Sequence, residues 1–302
     1  MSDYLKALAL TSAISLLAQP VQAAAQGAIE LVDARQKAIA LAGPARRIVS
    51  LQPSFTEAIC ALGGCDALVG VDRYSTWPQQ AAAIPKVGSL RDPDIERIVA
   101  LRPDVVLARP NHKVDERLES LGIPVLTLNA QTYDDMAQEL ETLAMLLGRP
   151  GRGTRLWQQT RDRIDALRRQ VPRQWQGRKV YFELHSGMAA AGEASFIGQT
   201  LQGLGLVNIA GRDLPMYPRL SPEYVVRANP DVIITMADMP VPPPARQGWS
   251  RLPALKGNRY CRIPNADFEV MVRPGPRIDE AARQILLCLQ QLPPPGTESS
   301  KR

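Results

Sequence analysis

Two segments of this chain repeat each other at a distance of 127 residues, and this repeat limits the folds that the chain can adopt. Residues 96–107 align without a gap on residues 223–234. Each copy has the pattern of a short helix, a Pro-Asp turn and a buried strand. Asp94 and Ser221 stand where the N-caps of the two helices belong. The repeat therefore predicts two lobes of similar topology.

Strand and helix patterns alternate along both halves of the chain. A second alternation begins at about residue 179 and continues to about residue 292. Strands that alternate with helices at this spacing form mainly parallel sheets. We therefore predict an α/β protein with two Rossmann-like lobes, at 45–148 and 176–292. The predicted strands of the two halves lie at 47–51, 67–71, 104–108, 125–128 and 179–182.

A single long helix, predicted over about 152–171, links the two lobes. Its apolar-compatible positions are three or four residues apart, which places them on one face of a helix. They are Trp157, Thr160, Ile164, Leu167 and Val171. Pro172 ends the pattern, and the whole linker spans 150–172. Because a helix resists bending, we expect little hinge closure and a largely preformed site in the cleft between the lobes.

The amino-terminal residues 1–23 have the pattern of a secretory signal peptide. One lysine precedes an apolar run at 7–18, and small residues follow, with a cleavage site near Ala23. The run is shorter than the about 20 residues that span a bilayer core. The first cysteine is Cys60, so we expect a periplasmic product without a lipid anchor. The tail, 293–302, is rich in proline and small polar residues, and we expect it to be disordered.

Charge and motifs exclude several classes of function. The formal net charge of +6 suits a nucleic-acid partner. The export signal argues against such a partner, and we expect none. The glycine-rich stretch 148–154 lacks the lysine and the preceding strand of a phosphate-binding loop. No Gly-x-Ser-x-Gly sequence is present. Ser186 beside His185 leaves a secreted hydrolase as a weak alternative, and we predict a monomeric protein that is not an enzyme.

Four cysteines allow two disulfide bonds in an oxidising compartment, with three possible pairings. We favour Cys60–Cys65 and Cys261–Cys288, because each pair lies within one predicted substructure. Buried free thiols are an equal alternative. The spacing is not that of a zinc site, and only two histidines, His112 and His185, occur in the chain. No bound metal is predicted.

Candidate ligand-binding residues follow the predicted strand ends, where α/β folds bind ligands. Each of them has surface exposure or packing as an alternative role, so the set carries more weight than any member. Asp267, Phe268 and Arg273 fall in a predicted loop before a last helix at 277–291. The other candidates are Tyr74, Trp77, Arg109, His185 and Tyr217.

Three motifs, at 47–57, 69–78 and 96–104, resemble those of the periplasmic substrate-binding proteins of cobalamin ABC importers. These proteins belong to a helical-backbone family that also carries ferric siderophores and haem. The resemblance covers about residues 45–290. It implies two Rossmann-like lobes bridged by one helix, and one acidic residue on each lobe that engages arginines of the membrane permease. Those acidic residues correspond to Glu96 and Glu223.

The resemblance implies a cargo less firmly than a family. Tyr74 matches an aromatic position of the cobalamin cleft, and Tyr217 stands at a position that resembles one occupied by tryptophan in that cleft. Leu90 and Arg109 occupy two other tryptophan positions, while Asp267 and Arg273 resemble polar contacts of that cleft. These departures remove aromatic surface and add charge.

We therefore expect a receptor that delivers cobalamin or a related corrinoid to an ABC importer. The departures leave haem as an alternative, with its carboxylates held by Arg109 or Arg273 and its iron bound by His185 or a tyrosine. An anionic ferric siderophore also suits those arginines. A receptor that signals to a membrane sensor is a further alternative.

Overall fold

A computed structural model describes residues 27–185 and 187–295 of the chain. The predicted signal peptide, Ser186 and residues 296–302 of the predicted tail lie outside the described residues. Residues 293–295 belong to no helix or strand.

The described part of the chain contains eleven α-helices, and strands alternate with most of them along the chain. The helices are α1 (Pro53–Ala61), α2 (Gln79–Ala82), α3 (Ile95–Ala100), α4 (His112–Ser120), α5 (Tyr133–Leu146), α6 (Arg152–Arg168), α7 (Phe196–Gly203), α8 (Pro222–Ala228), α9 (Pro253–Lys256), α10 (Asn265–Met271) and α11 (Ile278–Gln291). The strands are β1 (Ile29–Val32), β2 (Ala38–Leu41), β3 (Ile48–Ser50), β4 (Leu68–Val71), β5 (Gly88–Ser89), β6 (Asp92–Pro93), β7 (Val105–Ala108), β8 (Val125–Thr127), β9 (Lys179–His185), β10 (Ala189–Ala190), β11 (Val207–Asn208), β12 (Val232–Met236) and β13 (Tyr260–Ile263).

The first lobe contains a four-stranded parallel sheet in the order β4-β3-β7-β8. Ile48 of β3 pairs with Val105 of β7, and Val106 pairs with Val125 of β8. Every residue of β3, β7 and β8 is buried, as expected for a parallel sheet that helices cover on both faces.

The second lobe repeats this arrangement. Strand β9 pairs in parallel with β12, and β12 pairs in parallel with β13. In the first lobe, β4 lies beside β3. In the second lobe, the equivalent place beside β9 is divided between two short strands. Strand β11 pairs in parallel with the start of β9, and β10 pairs antiparallel with its end. The prediction of two α/β lobes with mainly parallel sheets is confirmed.

The 127-residue repeat is also confirmed at the level of single hydrogen bonds. The side chains of Asp94 and Ser221 accept the backbone N–H of the third residue of α3 and α8. After each helix, an aspartate accepts a backbone N–H of the neighbouring strand: Asp104 from Arg47 at 2.9 Å, and Asp231 from Lys179 at 2.9 Å. The same side chains therefore connect helix, turn and strand in both lobes.

Helix α6 connects the lobes and packs closely on α5 and α11. A Cβ atom at Gly153 would overlap the backbone of Leu140, so only glycine permits this approach of α6 to α5. The helix ends at Arg168, three residues before its predicted end, although Val171 is buried as the pattern indicated. Pro172 explains the difference, because proline disfavours the helical conformation of the residue before it.

One hydrophobic core extends beneath both lobes. It contains side chains of the first lobe such as Phe55, the α6 residues Trp157 and Ile164, and side chains of the second lobe such as Phe182. There are also two smaller cores, one on the other face of the sheet of each lobe. Direct bonds also join the lobes: Phe196 donates its N–H to the carbonyl of Gln131 at 2.7 Å. The lobes are thus held by packing as well as by the linking helix.

Two local predictions are wrong, and one element was not predicted. Residues 29–41 form an antiparallel hairpin, β1–β2, which the sequence analysis did not identify. Strand β9 continues to His185 instead of ending at residue 182. Residues 265–271, expected in a loop, form α10 after Pro264, with Phe268 and Met271 turned into the core.

The predicted disulfide pairing is confirmed. Cys60 is bonded to Cys65 after α1, and Cys261 of β13 is bonded to Cys288 of α11. The second bond ties the last helix to the edge strand of the second sheet, so each lobe contains its own covalent link.

Candidate functional site

A cavity of about 320 Å³ lies between the lobes. The first lobe contributes Arg109 and Gln131, and the second lobe contributes most of the remaining wall. The residues of the second lobe are Leu184, His185, Phe196, Ile197, Tyr217, Val272 and Pro274. Volumes of 300–1,000 Å³ with apolar walls and a few polar groups are typical of sites for small molecules.

A second cavity, of about 480 Å³, opens on the first lobe. It is lined by Leu51, Gln52, Pro53, Asp72, Tyr74, Ser89, Leu90, Arg91 and Arg109. Arg109 belongs to both cavities, so the two spaces adjoin at its side chain. Arg109 is thus shared by the walls of both cavities, with Tyr217 in the wall of the first and Tyr74 in the wall of the second.

The loop that follows β8 holds Arg109 in place. The guanidinium of Arg109 donates a hydrogen bond to the side-chain oxygen of Asn129, and Gln131 donates to the same oxygen at 2.9 Å. Beneath this loop, Glu139 of α5 accepts the N–H of Ala130 at 3.2 Å. Burial raises the pKa of Glu139 to about 7, against the opposing effects of this hydrogen bond and of Arg109.

A buried chain of hydrogen bonds supports the loop that presents Tyr74. Asp72 accepts the N–H of Tyr74 at 2.8 Å and the hydroxyl of Ser75. The Ser75 hydroxyl lies 2.9 Å from that of Thr56, which donates to Ser50 at 2.9 Å. The loop is thus anchored to β3 and α1, while the Tyr74 ring remains 59% exposed. Burial raises the pKa of Asp72.

Tyr217 faces the cleft from the second lobe. It precedes α8 in a segment whose backbone binds that of the β9–β10 region, where Ala190 donates its N–H to Pro218 at 2.8 Å. The ring is 40% exposed. Partial burial raises the pKa of its hydroxyl, and the charge of Arg109 across the cleft opposes this shift. The hydroxyl is therefore neutral at neutral pH and able to donate a hydrogen bond.

Trp77 and Arg273 form part of a connection between the lobes. Arg273 donates to the buried carboxylate of Glu57 in α1 at 3.0 Å, and Arg277 lies 3.5 Å from the same oxygen. The Arg277 guanidinium also covers the ring of Trp77, 4.3 Å from its centroid. Neither Trp77 nor Arg273 lines either of the two cavities described above, although Val272 and Pro274 line the first. The side chain of Arg273 is engaged by Glu57 and Glu269.

The structure brings five of the nine predicted ligand-binding residues into the two cavities and leaves four outside them. Arg109, His185 and Tyr217 meet in the first cavity. Tyr74 and Leu90 meet Arg109 in the second. Trp77 and Arg273 lie outside both cavities, in the connection between the lobes described above.

The other two predicted residues outside the cavities are Phe268 and Asp267. Phe268 is 3% exposed and stacks on Phe182 with ring centroids 5.6 Å apart, so its expected place in the cleft is corrected to the core. Asp267 lies in the first turn of α10 and lines neither cavity.

A smaller cavity, of about 140 Å³, lies in the second lobe behind the end of β9. Its wall includes Met188, Met239 and the buried ion pair of Glu183 with Arg246, whose atoms are 2.9 Å apart. The hydroxyls of Tyr181 and Thr235 are buried near this pair without a well-formed hydrogen bond among the described residues. Burial raises the pKa of Glu183 in spite of Arg246.

Glu96 and Glu223 occupy equivalent positions in the first turns of α3 and α8. Both are exposed, and neither forms an ion pair with another described residue. A negative charge is stabilised in the first turn of a helix by the helix dipole. Both carboxylates are therefore available to a basic partner.

Several residues of the cleft were missed by the sequence analysis. Phe196 and Ile197 begin α7, where no strand end marks them, and Gln131 lies in the loop between β8 and α5. Phe196 has one recognisable signal, the N-cap Ser195 directly before it. Gln52 and Asp72 stand at the ends of β3 and β4, where the rule for strand ends applied to the other candidates would have found them.

Two further observations concern the described residues 27–185 and 187–295. Within them, no group of three or more His, Cys, Asp or Glu side chains is arranged to hold a metal ion. In the same ranges, every helix is too short or too polar to cross a membrane.

Comparison with known proteins places this geometry in a family. Residues 48–266 match the family model described as "Periplasmic binding protein". The vitamin B12-binding protein of Yersinia pestis is 31% identical over 264 residues, covering 84% of this chain and 90% of that protein.

Two solved structures have the same fold. A possible iron-binding, periplasmic solute-binding protein from Staphylococcus epidermidis has a TM-score of 0.72 at 25% identity, covering 81% of this chain and 98% of its own. The periplasmic haem-binding protein RhuT from Roseiflexus has a TM-score of 0.65 at 26% identity, covering 81% and 97%.

The three proteins are named for three different cargoes. The comparisons therefore show the family of this chain but not its cargo. Proteins of this family are extracytoplasmic binding components of ABC transporters and are not enzymes. This removes the hydrolase alternative and implies a permease in the membrane as partner. The chain, with its paired α/β lobes and the cleft between them, belongs to the periplasmic binding protein family.

Proposed function

We propose that this chain is a periplasmic receptor that delivers cobalamin or a related corrinoid to an ABC permease. The observation that carries the proposal is the pair of exposed tyrosines, Tyr74 and Tyr217, which face the cleft from opposite lobes. Two aromatic faces on either side of a gap suit a large, flat macrocycle. The similarity to the vitamin B12-binding protein of Yersinia pestis supports the same cargo.

Arg109 supports a cargo that carries polar or anionic groups. Its guanidinium lies where the two cavities adjoin, held by Asn129 at one edge. An arginine held in this way offers its remaining N–H groups to a phosphate or carboxylate. A corrinoid with a nucleotide tail carries such a phosphate.

Haem is the second candidate, and the composition of the first cavity favours it. Arg109, His185 and Tyr217 line the same space. An arginine can hold a haem carboxylate, and histidine or tyrosine can bind haem iron. The similarity to the haem-binding protein RhuT supports this candidate.

Isothermal titration of the purified protein separates these cargoes. We expect saturable binding of cyanocobalamin with one site per chain, and no binding of haemin or of ferric siderophores. Saturable binding of haemin without heat from cyanocobalamin would contradict the proposed cargo and leave the family assignment intact.

The Tyr217 ring provides a sharper test of the stacking role. Tyr217→Leu removes the aromatic face, and we expect an affinity for cyanocobalamin about tenfold lower. Tyr217→Phe keeps the face and serves as the matched control, with affinity close to that of the unmodified protein. Equal losses in both variants would assign the effect to the hydroxyl instead.

We also propose that Glu96 and Glu223 engage arginines of the permease. Their equivalent, exposed positions on the two lobes support this role. The double variant Glu96→Ala, Glu223→Ala should retain its affinity for cyanocobalamin and lose transport in reconstituted vesicles. The exposed Glu30 of β1 supplies the control, Glu30→Ala, which should transport normally. Normal transport by the double variant would contradict the docking role and favour a signalling receptor.

A further inference from the structure

The two helices that carry Glu96 and Glu223 share a second exposed feature. Val99 and Val226 follow the glutamates by three residues, and they are equivalent in the 127-residue repeat. Their side chains are 42% and 39% exposed, whereas the preceding residues, Ile98 and Val225, are fully buried. Each helix therefore uses one apolar residue for the core and presents the next to solvent.

Helical geometry places each valine beside its glutamate. Residues three apart on a helix lie on the same face, about one turn from each other. Each lobe thus displays a carboxylate and an apolar side chain next to each other. We refer to these four residues, Glu96, Val99, Glu223 and Val226, as the paired surface.

The residues next to them on the two helices differ between the lobes, and Tyr224 is only partly exposed, with its hydroxyl donating to the carbonyl of Ile209 at 2.9 Å. Arg97 corresponds to Tyr224, and Ala100 corresponds to Arg227. The glutamate and the valine are therefore the exposed chemistry that the lobes have in common. A β-branched residue on an exposed helix face is mildly unfavourable compared with alanine, so neither valine improves the helix that carries it.

We propose that Val99 and Val226 form the apolar part of the surface that docks on the permease. This inference rests on the proposed docking role of Glu96 and Glu223. The partner that fits the paired surface presents two equivalent sites, each with a basic side chain next to an apolar patch. We infer a basic side chain on the partner from charge complementarity, because neither glutamate has an ion pair among the described residues. The duplication of the surface selects a partner with two equivalent halves.

In this arrangement the two parts of the paired surface have different roles. The exposed carboxylates steer the receptor to the permease and set its orientation. The valines lose contact with water when the complex forms, and this burial stabilises it. Dependence of the affinity on salt should accordingly come from the glutamates and not from the valines.

The experiment measures binding of the ligand-free protein to its permease complex in lipid nanodiscs. The variant Val99→Thr, Val226→Thr keeps the shape of both side chains and replaces one methyl group of each by a hydroxyl group. We expect a dissociation constant about five- to tenfold higher, with an unchanged slope of affinity against salt. Val207→Thr, at an exposed valine of β11 outside the paired surface, is the matched control and should bind normally.

The glutamate double variant distinguishes the two proposals. If Glu96→Ala, Glu223→Ala weakens docking while the threonine variant docks like the unmodified protein, the valines remain in water and this inference is overturned, whereas the proposed function stands. If both variants dock normally, both proposals are overturned. Unchanged thermal unfolding and cyanocobalamin affinity of the threonine variant would exclude a general loss of structure as the cause of weaker docking.

Discussion

The two lobes have the same strand order and differ in how they hold buried carboxylates near the cleft. In the first lobe, Asp72 and Glu139 accept hydrogen bonds from hydroxyl and backbone N–H groups of their own lobe. In the second, Glu183 is paired with Arg246 from a loop. Hydrogen bonds support the first lobe's side of the cleft, and an ion pair supports the second.

This difference follows from the edge of each sheet. In the first lobe, β4 is one continuous strand beside β3, and the chain after it forms the hydrogen-bonded Tyr74 loop. In the second lobe, β10 and β11 divide that position, and β9 extends to His185. The longer strand carries Glu183 into the lobe beside Arg246. Similar topologies thus present a loop on one side of the cleft and a strand end on the other.

The largest expected effect comes from breaking the ion pair of the second lobe. Arg246→Met leaves the carboxylate of Glu183 buried without a partner, which should lower the free energy of unfolding by about 3 kcal/mol at pH 8. The pKa of Glu183 is already raised, so its protonation should make the loss smaller at pH 5. Urea denaturation at both pH values checks this, with Arg251→Met, an exposed arginine, as the control. An equal loss at pH 5 and pH 8 would contradict the ion-pair explanation.

The isolated carboxyl group of the first lobe should give a different pH dependence. Because the pKa of Glu139 is raised from 4.5 to about 7, its contribution to stability is fully present below about 4.5 and is lost as the pH rises towards 7. Glu139→Gln should remove this loss. We expect the variant to gain about 2 to 3 kcal/mol of unfolding free energy relative to the unmodified protein between pH 5 and pH 8. Parallel pH profiles of the two proteins would show that Glu139 does not titrate in this range.

The connection between the lobes should give a smaller effect. Glu57→Gln weakens the pairing with Arg273 and Arg277, and we expect a loss of about 2 kcal/mol in unfolding free energy. Glu269 pairs with the same Arg273 but is 67% exposed, so Glu269→Gln should cost less than about 0.5 kcal/mol. Chemical denaturation of both variants makes the comparison, and equal losses would contradict a special role for the buried partner.

The smallest expected effect concerns the hydroxyl chain of the first lobe. Thr56→Val removes a buried hydroxyl from between Ser50 and Ser75, at a cost of about 1 kcal/mol. The exposed Thr76 is the control, and Thr76→Val should be neutral. If Thr56→Val also lowers the affinity for cyanocobalamin, the chain of hydroxyl groups positions Tyr74 as well as stabilising the lobe. Unchanged stability would contradict the proposed role of these hydroxyl groups.

The periodicity of the sequence predicted the lobes because it reports burial, which repeats at regular intervals along helices and strands. The repeat at 96–107 and 223–234 was visible because the same residues carry the same hydrogen bonds in both lobes. The hairpin β1–β2 was missed because each of its strands is only four residues long and buries only one or two side chains.

The candidate site was predictable only where a residue follows a strand of its own lobe. Tyr74, Arg109 and Tyr217 were found because a strand end or the repeat marks their positions. Phe196 was missed because it begins a helix and reaches the cleft through contact between the lobes, whereas Gln131 follows β8 and could have been found by the rule for strand ends. Arg273 and Trp77 were expected to face a ligand, but no local pattern indicates that Glu57, more than 200 residues away, engages the arginine.

The continuous core beneath both lobes has a consequence for thermal denaturation. Side chains from Leu31 to Leu289 belong to one packed cluster, so neither half has a complete interior of its own on that side. Melting of one half would expose the apolar surface of the other, which opposes partial denaturation. Calorimetry should therefore record a single cooperative endotherm in which both halves melt together, rather than one for each half.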